Sequence, residues 1–200
     1  MPDLIRTFVA VLIDPAVVDA VYSTQRRLSE IAPQLKWVNS ANFHLTVKFL
    51  GEIPDKSLQN VFDAVIKSAN EAEPFDLSFS GVGVFGSPIK PRVVWVGITE
   101  GAEQLGSLAE SVDMHLQTVG FAGEERPFKA HLTLARSGRE EKSMPEVFRS
   151  AIRESAGLEF GKSRVDSLVV MRSELRPNGP KYTPMGVFKL HNGGVESVSS

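Results

Sequence analysis

The chain has 200 residues, 42% of them apolar and 23% charged, with a formal net charge of -2 and no cysteine. Those values fit a globular protein with a core of its own, and they exclude disulfides, thiolate metal sites and a broadly basic nucleic-acid surface. No apolar run reaches membrane-spanning length, and Asp3 ahead of the short run Phe8 to Ile13 argues against a signal peptide, so a cytoplasmic protein is expected.

Arg6 to Ile13 (RTFVAVLI) is a continuous apolar run and predicts a buried strand. Asp14 suits a helix N-cap and Pro15 the first helical position. Val17, Val18, Val21, Tyr22, Leu28 and Ile31 then recur with a period of about 3.6 residues, ending near Pro33. A strand over Asn42 to Leu50 follows, closed by Gly51 and Pro54. A second helix is expected from near Asp55, burying Leu58, Val61, Phe62, Val65 and Ile66. Phe75 to Phe79 alternates as a strand does and runs towards the glycines at 81, 83 and 86.

In the second half, Arg92 to Ile98 predicts a strand, and Ala102 to Val119 a helix with Leu105, Leu108, Val112 and Leu116 inward. Arg126-Pro127-Phe128 leads into a strand from Lys129 to Ala135, with Arg136 just beyond it. Residues 143–154 suggest a short helix with Pro145 in its first turn. Ser163 to Met171 and Tyr182 to Leu190 predict two more strands, joined by a turn-rich basic loop. The polar tail, residues 192–200, is expected to fray.

One pattern occurs twice. His44-Leu45-Thr46-Val47 and His131-Leu132-Thr133-Leu134 both read His-apolar-Thr-apolar. Alternation along a strand puts His44 with Thr46, and His131 with Thr133, on one face, while the apolar residues turn to the other. A single copy would describe any half-buried strand; two copies in a chain with four histidines point to a site. His115, near the apolar stripe of its helix, and His191, at the start of the tail, read as structural or marginal.

The halves match in order: strand, helix, His-Thr strand, helix, strand. That predicts an α+β fold of two pseudo-symmetric lobes, each a small, mainly antiparallel sheet backed by helices, with a central cleft. Residues 1–191 are expected to form one bilobal unit, with halves of roughly 1–88 and 89–191. A parallel α/β sheet ranks lower, because no glycine-rich phosphate loop follows the first strand.

Two imidazoles facing one substrate suit paired general acid and base work near neutral pH. Two threonine hydroxyls beside them suit an anionic centre. The set fits an in-line displacement at phosphorus without a metal or any other cofactor. Zinc lacks a third ligand on these strands, and nucleophilic catalysis by Thr lacks an orienting third residue.

The paired motifs resemble those of the 2H phosphoesterase superfamily. Arg6 to Ala10, Asn42 to Gly51, Arg92 to Gly97, Arg126 to Arg136 and Lys181 to Pro184 are similar to the RNA 2′,3′-cyclic phosphodiesterases, also called the 2′-5′ RNA ligase family. The resemblance implies hydrolysis of a 2′,3′-cyclic phosphate at an RNA end to a 2′-phosphomonoester. His44 would then be the proton donor to O3′ and His131 the proton acceptor from water, though symmetry permits the reverse. Thr46 and Thr133 would hold the non-bridging oxygens.

Arg136 is a candidate to reach the same phosphate with its fork, with an ordinary surface arginine as the alternative. Phe8 and Phe49 are candidates to stack on a terminal base, with plain core residues as the alternative. By parity Phe49 belongs to the face of Leu45 and Val47 unless the strand bulges. Arg172, Arg176 and Lys181 suit either a polyanion guide or a solvated loop. The partner implied is RNA with a cyclic phosphate end, or a related cyclic nucleotide, acted on by a monomer with no membrane and no obligatory protein partner. Ligation at the same site and a non-catalytic RNA-end or nucleotide-binding module are the competing functions.

Overall fold

The two motif strands lie in different sheets. The computed structural model describes residues 3–138, 143–177, 179–191 and 195–196. Strands β1 (Leu4–Val11), β3 (Leu45–Pro54), β8 (Ser167–Arg176), β9 (Gly179–Lys189) and β10 (Val195–Glu196) make the first sheet, in the order β10-β9-β8-β1-β3. Strands β2 (Lys36–Trp37), β4 (Phe75–Gly86), β5 (Pro91–Ile98), β6 (His131–Arg136) and β7 (Glu159–Val165) make the second, in the order β2-β6-β5-β4-β7. Every pairing among them is antiparallel.

Among the described residues, four helices cover the sheets: α1 (Pro15–Ile31), α2 (Leu58–Glu71), α3 (Ala102–Thr118) and α4 (Glu146–Glu154). α2 and α3 pack together against the first sheet, while α1 and α4 pack on the second. Each sheet therefore draws on both halves of the chain. The helix after β1 crosses to the second sheet, and the helix after β5 crosses to the first. Position 88 falls inside the β4–β5 hairpin, between two strands of one sheet.

One continuous apolar core fills the space between the sheets and their helices, from Val9, Leu45 and Leu168 to Val94, Leu132 and Phe148. Phe8, Ala10, Val169 and Met171 form a second cluster with Tyr182 and Val187, on the other face of the first sheet. That face also carries His44 and Thr46, because Ala10 stands opposite Thr46 in the ladder.

Several elements differ from the sequence reading. The strand expected over Ser163 to Met171 breaks at Asp166, and its two parts, β7 and β8, belong to different sheets. Asp166 and Ser167 interrupt the apolar residues after Val165, but Leu168 to Met171 resume at once, so the pattern reads as one strand. The Asp166 carboxylate is held by the Ser167 hydroxyl at 2.8 Å, and its carbonyl accepts from the Leu190 N–H at 2.8 Å.

Asp14 precedes α1 as expected, but its carboxylate does not cap that helix. It accepts the Arg164 N–H of β7 at 3.1 Å instead, tying the helix start to the sheet that α1 covers. Pro145 is the N-cap of α4 and lies just outside it. β2 has no counterpart in the sequence reading, being only two residues long. The expected loop from Arg172 to Pro180 is largely the end of β8 and the start of β9. Of the tail, Val195–Glu196 pairs with β9 and the remaining residues lie outside those described.

Candidate active site

His44 precedes β3, and His131 opens β6. Each ring is fixed in the same way. Nδ1 of His44 lies 2.7 Å from the Asn42 carbonyl, and Nδ1 of His131 lies 2.7 Å from the Lys129 carbonyl. A carbonyl only accepts, so Nδ1 carries the hydrogen in both rings and each neutral imidazole keeps its lone pair on Nε2. The nitrogen that changes protonation is therefore Nε2. At His44 it accepts from the Thr46 hydroxyl at 3.0 Å. At His131, Nε2 and the Thr133 hydroxyl have no hydrogen-bond partner among the described residues.

Both strands slip one residue immediately after the threonine. In the first sheet Ala10 faces Thr46 while Val9 faces Lys48, so Val47 is the extra residue of a β-bulge. In the second, Trp95 faces Thr133 while Val94 faces Ala135, so Leu134 is the extra residue. A slip of one residue reverses the faces of everything beyond it. Phe49 and Arg136, each third after its threonine, therefore join the histidine face instead of the core face. Arg136 is the last residue of β6, not one beyond the strand.

The bulges are pinned from the core side. The Leu134 carbonyl accepts the Val38 N–H at 2.8 Å and the amide of buried Gln25, on α1, at 3.0 Å. Lys48, turned inward by the other bulge and 4% exposed, is paired with Asp113 on α3 and donates to the Ala122 carbonyl at 2.8 Å. The helix of each half thus secures the motif strand of the other half.

Arg136 connects the two sheets electrically. Burial is the main cause that lowers the pKa of His44 below 6.5; the bond to the Asn42 carbonyl opposes it, and the Arg136 charge adds to the lowering. His131 is lowered by the same causes in the same order, with Lys129 providing the carbonyl. Tyr182 of β9 is raised by burial, against the pull of Arg136 and Arg6. The Arg136 charge thus acts on both histidines in the same direction.

The repeat is also visible to comparison with known proteins. The model of the LigT-like phosphoesterases matches twice, over residues 11–95 and 96–182, one match for each His-Thr motif. The chain belongs to this family. An RNA 2′,3′-cyclic phosphodiesterase of Methanothermobacter thermautotrophicus is 37% identical over 188 residues, 93% of this chain and 99% of that protein. One from Archaeoglobus fulgidus is 36% identical over 184 residues, 92% of this chain and 99% of its own. A Thermus thermophilus protein of known structure superposes with a TM-score of 0.78 at 28% identity, over 94% of this chain and 100% of that one. E. coli LigT shares the fold, with a TM-score of 0.74 at 22% identity over 94% of this chain and 99% of its own.

In this LigT-like phosphoesterase, aromatic rings enclose both histidines. The Phe8 ring lies 4.9 Å from His44, Tyr182 meets His44 edge-on at 5.2 Å, and Phe85 meets His131 edge-on at 5.0 Å. Phe8 is 2% exposed and packs beneath the site, whereas Phe49, 6.0 Å from it, is 58% exposed. Trp95 lies beside Phe85 and over Gly83, where an added Cβ would clash with the indole.

Tyr182, Phe85 and Trp95 carried no role in the sequence reading. Their only signal was membership of apolar or family-like strands, which does not say which face they occupy. His115 pairs with Glu71 at 3.0 Å between α3 and α2, away from the motifs. Among the described residues, no group of three or more His, Cys, Asp or Glu is placed to hold a metal ion. The phosphoesterase family fixes the class of reaction, chemistry at a phosphate ester.

Proposed function

We propose that this chain hydrolyses 2′,3′-cyclic phosphate ends of RNA to 2′-phosphomonoesters, with His44 and His131 as a metal-independent acid–base pair. The observation that carries the reading is the matched anchoring of the two rings, which leaves two Nε2 atoms as the titrating positions around one arginine. The names borne by the archaeal relatives supply the substrate.

His131 takes a proton from water through Nε2 as the water oxygen bonds to phosphorus. The P–O3′ bond breaks as O3′ leaves with the proton carried on Nε2 of His44, and solvent restores both rings. His131, whose Nε2 has no partner among the described residues, is the one open to water. His44 packs against both Phe8 and Tyr182, where the nucleoside side of the substrate would rest. Thr46, Thr133 and Arg136 donate to the non-bridging oxygens as charge builds on them. Phe49, exposed on the same face, offers its ring to the terminal base.

The test is turnover of an oligoribonucleotide ending in a 2′,3′-cyclic phosphate, with EDTA present and the product isomer identified. A 2′-phosphate formed at an undiminished rate is expected. Loss of activity with chelator and its return with zinc would overturn the acid–base account, and a 3′-phosphate would overturn the assignment of the leaving oxygen.

A further inference from the structure

Several cations of the first sheet face a carboxylate. Arg172 and Arg176 lie 3.7 and 3.3 Å from Glu174, and Lys181 stands directly opposite Glu174 in the β8–β9 ladder. Arg6 stands opposite Glu52. Lys36 of β2 faces no carboxylate but another cation: it stands directly opposite Arg136 of β6, with no carboxylate bonded to either among the described residues.

Directly opposed residues of an antiparallel pair share a face, with Cα atoms roughly 5 Å apart. Trp37, the other residue of β2, packs on the core and donates from its indole to the Ala32 carbonyl at 2.9 Å. Lys36 therefore turns to the face that holds Arg136, His131 and Thr133. Like charges directly opposed in a ladder destabilise it. An anion between them reverses that sign.

We infer that Lys36 and Arg136 form a second phosphate subsite, which holds the phosphodiester on the 5′ side of the terminal nucleotide. The inference rests on the cyclic-phosphodiesterase reading of the histidine pair. Arg136 sits between the reacting phosphate and this second one, and Lys36 lies one strand further out. The subsite makes the substrate an oligonucleotide end, because a nucleoside 2′,3′-cyclic phosphate has nothing to place against Lys36. The basic tip of the β8–β9 hairpin is less suited to the same task, since Arg172 and Arg176 both pair with Glu174 and Lys181 stands opposite it.

The experiment is equilibrium binding of two product-like probes, adenosine 2′-monophosphate and adenosine 2′,5′-bisphosphate. The second carries the phosphate that a preceding nucleotide would supply. Wild-type protein should favour the bisphosphate by about tenfold, the scale of one charge-assisted contact. Lys36→Gln should remove most of that preference and leave the monophosphate affinity unchanged, while Lys36→Arg keeps the preference. The slope of log affinity against log salt for the bisphosphate should fall by about one in Lys36→Gln.

Equal binding of both probes by wild type, or a preference that survives in Lys36→Gln, overturns the subsite and leaves the catalytic reading standing. Failure of the wild-type protein to bind either probe overturns the nucleotide reading of the site, and the subsite with it.

Discussion

Phe49 and Arg136 occupy equivalent places in the two motif strands. Each is third after its threonine, and each reaches the site because a bulge at Val47 or Leu134 has turned the strand over. The repeat thus places an aromatic ring on one side of the site and a guanidinium on the other. A duplicated scaffold has become a site with two different ends, one suited to a base and one to phosphate.

The two phenylalanines of the site should separate by what they support. Phe8→Ala removes a buried ring and should cost about 3–5 kcal/mol of stability. Phe49→Ala removes an exposed one and should leave urea denaturation within about 0.5 kcal/mol of wild type. It should raise KM several-fold, as loss of about 1 kcal/mol of base stacking would. An unchanged KM in Phe49→Ala would remove the ring from substrate recognition.

Arg136 should report in pH as well as in affinity. Burial is the main cause that lowers both histidine pKa values, and the Arg136 charge, which disfavours a second positive charge on either imidazole, adds to it. The acid form of one histidine is needed, and it is depleted as pH rises through the pKa. In the free enzyme the alkaline limb of kcat/KM should therefore lie below the ordinary 6.5. Arg136→Gln relieves the repulsion and should move that limb to higher pH, while raising KM in a salt-sensitive way. A pH–rate profile that keeps its position, with KM unchanged, would contradict both roles.

The Lys48–Asp113 pair should be asymmetric. Asp113→Ala leaves the Lys48 ammonium buried with the Ala122 carbonyl and, at 3.6 Å, the half-exposed Glu124 carboxylate, so the loss should fall towards the lower end of the roughly 3–5 kcal/mol of a broken buried pair. Lys48→Met should cost less, because Asp113 is partly exposed and still accepts from Gln117 and the Glu124 N–H. Chemical denaturation of the two variants measures the difference, and equal losses would contradict it.

The alternation of His, Leu, Thr and the next apolar residue told which side chains share a face, and those faces are as observed: Leu45, Leu132 and Leu134 are buried. The bulges were not legible. A register slip is set by pairing with a neighbouring strand, and Val47-Lys48 looks like ordinary alternation until Lys48 is seen to turn inward. Asp166 shows the same limit, since a single polar pair, Asp166-Ser167, does not mark a crossing between sheets. Lys36 acquires meaning only from its position opposite Arg136, a relation between segments 100 residues apart (36 and 136). Periodicity along one strand carries no information about such partners.

The central claim, that His44 and His131 act as one acid–base unit on one phosphorus, is tested most directly by a double-mutant cycle in kcat on a cyclic-phosphate oligonucleotide. His44→Ala and His131→Ala should each lower kcat by about 10²-fold or more. The double variant should lose far less than the product of the two, because either deletion alone already disables the unit. A single variant with nearly wild-type kcat, or strictly multiplicative losses, would contradict the account.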